Sequence, residues 1–303
     1  MYNDVEAKDM DNEKFIYDKQ WLNSLGYQEN DGRGLRIEKS CIKIKGLDRV
    51  YRFWQFSDMH VSFAFPTDSK AEIARVIERN KFWTHDDGQN CLYMLDRLIE
   101  EANAQSLDGV MICGDLIDYY SKSNFRYVKE KLSTLRTKFF YAVGNHEGYD
   151  DGPQISTRRF YRDYDMLTKG KTDTRIIDYG KFLVLVVDDG DLKMHRKQIE
   201  LFEKANSYQK PIILVLHIPL LTEGLEPSCM EKWGTKFMLG THDDTVLTKE
   251  FCQKVKGADS NVVAICAGHI HYTNVSEFRK GNLQFCNTPA LTGFVREIEV
   301  CSE

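Results

Sequence analysis

Apolar residues along this 303-residue chain gather in short, nearly unbroken runs separated by longer amphipathic stretches. The runs cover residues 50–56, 109–113, 139–143, 182–187, 212–216 and 262–266. Segments of this length, rich in Val, Ile and Phe, predict strands, and an almost wholly apolar one such as 182–187 predicts a strand covered on both faces. Residues 35–38 and 41–44 alternate instead, like a half-buried strand. Between the runs the spacing turns helical. Leu92, Leu95, Leu98 and Ile99 share one face of a helix over 90–105, with Glu100 and Glu101 on the polar side. Further helices are predicted over 124–137, 155–167, 193–207 and 245–256, and short strands over 272–278, 283–286 and 294–300. A β-α alternation that ends in hairpins predicts an α/β domain with a mixed sheet.

Two stretches stand outside this rhythm. Residues 1–34 are mostly polar, with a short helix over 14–25 closed by the turn Asp31-Gly32-Arg33-Gly34. They read as an appendage packed on a domain of residues 35–303. Residues 222–244 contain Gly224, Pro227, Gly234 and Gly240 together with Met230, Trp233, Phe237 and Met238. Long connections in compact domains tend to be functional, and these apolar residues predict a structured lid or substrate wall, against the alternative of a surface excursion packing its own aromatics.

The apolar runs end on polar residues of particular types. Asp58-Met59-His60, Gly114-Asp115-Leu116-Ile117-Asp118, Gly144-Asn145-His146-Glu147, His217 and Gly268-His269-Ile270-His271 each follow one. Open α/β sheets place their sites just beyond the carboxyl ends of strands. Taken singly the motifs are weak: Asp is common at turns, and a lone His after an apolar run is more often a core residue. Together they hold five of the eight histidines, each at a strand end. A shared metal site explains this without five separate coincidences. Asp58, His60, Asp115, Asn145, His217, His269 and His271 make seven candidate ligands, which suits two ions better than one, since a transition metal commonly takes about three or four protein ligands. Imidazole and carboxylate without thiolate select Mn, Fe, Zn or Ni. Two such ions about 3.5–4 Å apart can share a carboxylate and clamp an in-line displacement at phosphorus.

Composition narrows the remaining choices. Apolar content is 42% and charged content 29%, ordinary for a globular domain. A formal net charge of −5 provides no basic field to hold nucleic acid. The eight cysteines form no C-x-x-C pair, and Cys113, Cys266 and Cys286 lie in strand-like runs, so they read as buried thiols, not a disulfide framework. The polar N-terminus has no apolar core of a secretory signal, and no run approaches the about 18 apolar residues of a membrane span. A cytoplasmic protein is the expectation.

The ordered series D-x-H, G-D-x-x-D, G-N-H-E, H, G-H-x-H resembles the calcineurin-like metallophosphoesterase family over about residues 50–290. The resemblance implies an α/β fold in which two mixed β-sheets pack as a sandwich with helices on the outer faces. It implies that Asp58, His60, Asp115 and His271 hold one metal, with Asp115 bridging, and that Asn145, His217 and His269 hold the second. The metals would be divalent or trivalent Mn, Fe or Zn, and a hydroxide shared between them would be the nucleophile. His146 would face the phosphate and serve the leaving oxygen, while Glu147 would orient His146 or brace the ligands.

The ester itself is less sharply marked. Protein Ser/Thr phosphatases of the family carry an arginine after the second motif's last Asp, and this chain has Asp118-Tyr119-Tyr120 there. The pairing of G-N-H-E with G-H-x-H resembles the branch containing small phosphodiesterases. Tyr119, Tyr120, Tyr149 and Trp233 are candidate substrate contacts that could stack on a base, or else pack on the rim. His85-Asp86-Asp87 and His242-Asp243-Asp244 read as helix N-caps, and His195 caps or packs. The favoured reading is a phosphodiesterase or phosphatase on a small substrate, nucleotides included. The alternatives are a nuclease or macromolecule phosphatase, and a non-catalytic metal-binding scaffold on the same fold.

Overall fold

Strand parity sets the layers. In the computed structural model, which describes residues 19–27, 34–83, 90–148, 163 and 174–303, strand Gly109–Cys113 sends Val110 and Ile112 into one apolar cluster and Met111 and Cys113 into another. Strand Ile212–Val215 divides Ile212 and Leu214 from Ile213 and Val215 in the same way. Successive strand side chains point to opposite faces, so an unbroken apolar run needs cover on both. Met111, Cys113, Ile213 and Val215 meet in one shared cluster between two sheets. The outer faces are covered by helices.

In chain order the elements are α1 (Lys19–Ser24), β1 (Arg36–Lys43), β2 (Tyr51–Phe56), α2 (Lys70–Trp83), α3 (Cys91–Ala104), β3 (Gly109–Cys113), α4 (Lys122–Ser133), β4 (Phe139–Ala142) and α5 (Asn145–Gly148). Then follow β5 (Thr174–Asp178), β6 (Leu183–Val187), α6 (Arg196–Ser207), β7 (Ile212–Val215), α7 (Glu226–Trp233), α8 (Val246–Lys256), β8 (Val262–Ala267), β9 (Asn274–Arg279), β10 (Asn282–Cys286) and β11 (Phe294–Cys301). One sheet has the order β1-β11-β2-β3-β4 and the other β5-β6-β7-β8-β10-β9. Both are mixed: β2, β3 and β4 run parallel, as do β6, β7, β8 and β10, while β11 lies antiparallel to β2 and β9 antiparallel to β10. Helices α3 and α4 cover the first sheet through Leu95, Leu98 and Val128, and α6 and α8 cover the second through Ile199, Phe202 and Phe251. Side-chain caps start three of them: Asn90, Ser121 and Thr245 each accept a backbone N–H three residues on.

Three sequence expectations change. The strand at 294–300 does not extend a terminal hairpin; β11 returns to the first sheet and pairs in parallel with β1 from Arg36↔Phe294 to Lys43↔Cys301. Its Ile298 and Val300 are needed in the inter-sheet core, while Val295 joins the helix side. Helix α2 and strand β5 arise where the pattern predicts neither. Only Val76 and Asn80 of α2 are buried, so its charges mask the helical period. Finally, Thr245 caps α8 in place of His242-Asp243-Asp244, and Asp244 instead accepts the Gly240 and Thr241 N–H groups in the preceding turn. His195 does sit at the N-cap of α6. The predicted helix at 155–167, the turn residues Asp31-Gly32-Arg33, Tyr149 and His85-Asp86-Asp87 fall outside the described residues, apart from Asp163.

The described part of the N-terminal segment packs on the first sheet's helical side. Leu25 and Tyr27 are buried, Trp21 Nε1 donates to the Ala64 carbonyl at 2.9 Å, and Asn80 of α2 donates to the Leu25 carbonyl at 2.9 Å.

Candidate metal centre

The carboxyl ends of β2, β3, β4, β7 and β8 point to one place between the sheets, and the ligand candidates leave them through strained backbone. Asp58, His60, Asp115, His269 and His271 all have positive φ, between 48° and 70°. For non-glycine residues this conformation costs roughly 1–2 kcal/mol each. It persists because the loops brace one another: the N–H groups of Asp58, His60 and Val61 donate to the carbonyls of Gly114, Asp115 and Leu116 at 2.9–3.0 Å. Such strain marks sites where side-chain direction outweighs backbone comfort. Two motif glycines have a steric reason. A Cβ on Gly114 would collide with the His217 ring, and one on Gly144 would collide with the Asp115 carboxylate.

The donors fall into three groups: two share the Asp115 carboxylate, and a third, His60, Asp118 and His146, overlaps the first at His60. Asp58, His60, Asp115 and His271 form the first, and Asp115, His217 and His269 the second, with the ligand atoms of each group within 4.8 Å of one another. His60 Nε2 lies 3.2 Å from His271 Nε2, and His271 Nε2 lies 3.4 Å from Asp58 Oδ1. In the second group His217 Nε2 is 3.1 Å from Asp115 Oδ2, 3.2 Å from His269 Nδ1 and 3.0 Å from Asn145 Oδ1, which adds Asn145 to the set. Metal–ligand bonds of about 2.0–2.2 Å put neighbouring ligand atoms at about these separations. Imidazole nitrogens facing each other at 3.2 Å also suit a shared cation better than each other. The residues present therefore fit two metal ions.

Electrostatics point the same way. Burial pushes the imidazoles of His60 and His269 down to about 4 and about 3, keeping both neutral as ligands must be. Burial opposes ionisation of Asp58 and Asp115, yet neighbouring histidines hold both carboxyls below their ordinary value. His217 is buried, but Asp115 outweighs that and raises it to about 10. The acidic demand for positive charge at this point is what a cation would meet.

His146 takes a different position. Its Nδ1 lies 2.8 Å from the Asp118 main-chain carbonyl and 3.3 Å from Asp118 Oδ1. A carbonyl oxygen only accepts, so Nδ1 carries a proton and Nε2 is the free end. Burial disfavours the imidazolium, but Asp115 and Asp118 outweigh it and raise His146 to about 10.

A profile of the calcineurin-like phosphoesterases matches residues 51–273. The chain belongs to that family. These are metal-dependent phosphoester hydrolases. Over 57 residues the chain is 47% identical to an uncharacterized metallophosphoesterase of Campylobacter jejuni, a match covering 18% of this chain and 15% of that protein. It is 21% identical over 234 residues to the probable glycerophosphodiester phosphodiesterase GpdQ of Arcobacter nitrofigilis, covering 75% of this chain and 74% of that one. The crystal structure of a dimetal phosphatase from Danio rerio shares the fold, with a TM-score of 0.54 at 12% identity over 80% of this chain and 89% of the other.

Around the candidate ligands of this phosphoesterase lie three further buried carboxylates, of which only Asp189 falls outside the motifs. Glu147 does not touch His146 through any described hydrogen bond; its carboxylate accepts the N–H groups of Asp115, Leu116 and Gly144 at 3.1, 2.6 and 2.7 Å, and the Tyr141 hydroxyl. It is a brace for the loops after β3 and β4. Asp189, at the end of β6, plays the equivalent part for β7 by accepting the His217 and Ile218 N–H groups at 2.9 and 2.7 Å. Asp188-Asp189 directly follows an apolar run, so the strand-end rule that finds the ligands could find it too. Asp118 is wholly buried and faces both His60 Nδ1, at 3.4 Å, and His146.

The substrate-contact expectations divide. Tyr119 is fully buried with its hydroxyl on Glu72 at 3.1 Å, and Tyr120 is buried with its hydroxyl on Asp163. Neither has a ring face open to a base, because both side chains are taken into the first sheet's helix-side core. Trp233 is 39% exposed, donates its Nε1–H to the Ile270 carbonyl and lies 6.0 Å from the His271 ring, centroid to centroid. Phe237, equally exposed, lies 5.5 Å from the His269 ring. Among the described residues no helix is long and apolar enough to cross a membrane.

Proposed function

We propose that this phosphoesterase hydrolyses small phosphodiesters and phosphomonoesters, nucleotides among them, at two cations. Asp58, His60, Asp115 and His271 would hold one; Asp115, Asn145, His217 and His269 would hold the other. The observation that carries the reading is Asp115, whose carboxylate belongs to two of the ligand groups, while its neighbour His146 clusters with His60 and Asp118 and has its Nδ1 on the Asp118 carbonyl. Mn, Fe or Zn would supply Lewis acidity at phosphate oxygens and a strong nucleophile near neutral pH.

The chain's own residues do the rest. Asp118 fixes the Nδ1–H of His146 through its carbonyl, which leaves Nε2 to hand a proton to the departing oxygen. Glu147 and Asp189 keep the ligand loops from relaxing when the ions exchange. The segment 222–244 would form a substrate wall, with the exposed rings of Trp233 and Phe237 available to a flat group such as a base. The likeness to a glycerophosphodiester phosphodiesterase supports the diester side of the reading.

The test is hydrolysis of bis(p-nitrophenyl) phosphate and p-nitrophenyl phosphate with Mn²⁺ added. Turnover that a chelator abolishes and Mn²⁺ restores is expected, with the diester the better substrate. Two bound metals with neither ester cleaved would favour a non-catalytic scaffold instead.

A further inference from the structure

Helix α2 commits its last turn to one carboxylate. Arg79 and Trp83 are four residues apart and so share a face. Arg79 donates from Nε to Asp118 Oδ2 and from Nη2 to Oδ1, the latter at 2.7 Å. Trp83 donates from Nε1 to the same Oδ1 at 2.7 Å. The Trp83 ring also stacks on His60, with centroids 3.7 Å apart and planes 16° from parallel, and meets the His146 ring edgewise at 6.1 Å. Asp118 Oδ1 in turn stands 3.4 Å from His60 Nδ1 and 3.3 Å from His146 Nδ1. A buried carboxylate held by a guanidinium fork and an indole N–H has one orientation open to it.

Position 119 itself supplies no guanidinium. Where the protein phosphatases carry arginine, this chain has a buried tyrosine, covered by the Arg75 guanidinium 3.7 Å from its ring centroid. The cation beside the G-D-x-x-D motif is supplied instead by α2, and its charge is directed to the motif's last Asp.

We propose that Arg79 and Trp83 are positioning residues that fix the Asp118 carboxylate and, through it, the His146 imidazole on the leaving-group side, with Trp83 also setting the ring plane of His60. The inference rests on the phosphoester hydrolase reading for its catalytic consequence, but not for its geometry. Ligand rings in such centres are oriented by the groups behind them; here those groups reach from a helix that bears no ligand.

The experiment compares Arg79→Met and Trp83→Phe with Arg79→Lys and with His146→Asn as the reference, on a series of substituted phenyl phosphodiesters. A p-nitrophenolate departs without a proton, and a phenolate of a weaker acid needs one. If Arg79 acts through His146, the ratio of p-nitrophenyl to phenyl turnover rises by about tenfold or more in Arg79→Met, as in His146→Asn. KM and metal content then stay as in the parent protein, and Arg79→Lys recovers part of the loss. An independent readout is the ¹⁵N–¹H ring correlation of His146 in the metal-free protein, assigned by its disappearance in His146→Asn. Arg79→Met and Trp83→Phe are expected to shift it. An equal loss on all esters with an unmoved His146 ring would overturn the proposal. If the parent protein cleaves no ester, the hydrolase reading fails, and the ring correlations still decide the positioning.

Discussion

The two halves of the metal centre solve one problem alike and then diverge. Each buries a single carboxylate that spends itself on backbone N–H groups: Glu147 on the first-sheet side and Asp189 on the second-sheet side. Burial pushes both carboxyls up to about 7, Glu147 with help from Asp115 and Asp189 against the pull of His217 and the N–H donors. Beyond the brace the halves differ. The first-sheet side adds a layer, α2–Asp118–His146, that on the proposed reading aims a proton donor. The second-sheet side carries His217, His269 and His271 and then opens onto the exposed rings of Trp233 and Phe237. Both halves contribute metal donors; on the proposed reading the first-sheet side also serves the leaving group and the second-sheet side receives the substrate.

The sharpest way to break this division is at the residue common to both groups. Asp115→Ala should lose both ions and all measurable turnover, whereas His217→Ala should lose one, as read by metal analysis of the purified proteins. Full occupancy of either site in Asp115→Ala would end the shared-carboxylate reading. Next in size is His146→Ala, expected to keep both ions while kcat falls about 10²–10⁴-fold; loss of the metals in that variant would remove the distinction between ligand and donor.

Stability tests follow. Chelation should lower the melting temperature, since ions present at about 100 times their dissociation constant add about 2.7 kcal/mol each, and an unchanged melting curve would mean that the halves are held together without them. Among the braces, Glu147→Gln should cost more than Asp189→Asn, because Glu147 serves three N–H groups and a hydroxyl and Asp189 serves two N–H groups. Losses of about 1–3 kcal/mol are expected from urea unfolding, and the reverse order would show the second-sheet side to be the more dependent on its brace. The smallest effect is Trp233→Ala, raising KM for a nucleotide ester by about fivefold with little change for p-nitrophenyl phosphate; equal change for both would assign Trp233 to packing alone.

What can be read in advance follows a single physical rule. Asp58, His60, Asp115, Asn145, His217, His269 and His271 end apolar runs, and a parallel sheet carries run ends to one edge. Asp189 obeys the same rule at the end of 182–187. Tyr119 and Tyr120 show where adjacency misleads: they follow the second motif directly, but the chain turns inward there and both are buried. Arg79 and Trp83 carry no such signal. Helix α2 buries too little apolar surface to display a helical period, and it reaches His60 and Asp118 only through the fold.

Residue order alone sets the strands and the seven candidate ligands, because strand periodicity and run-end chemistry are local properties that the chain spells out residue by residue; the two-sheet layering and the separate standing of His146 are what the motifs' resemblance to the phosphoesterase family implies. Packing in three dimensions settles which carboxylates brace which loops, that β11 closes the first sheet beside β1, that Tyr119 and Tyr120 face the core, and that Arg79 and Trp83 stand behind Asp118. Those are contacts between distant segments. They depend on how helices settle on sheets, and no local pattern encodes the side-chain directions that result.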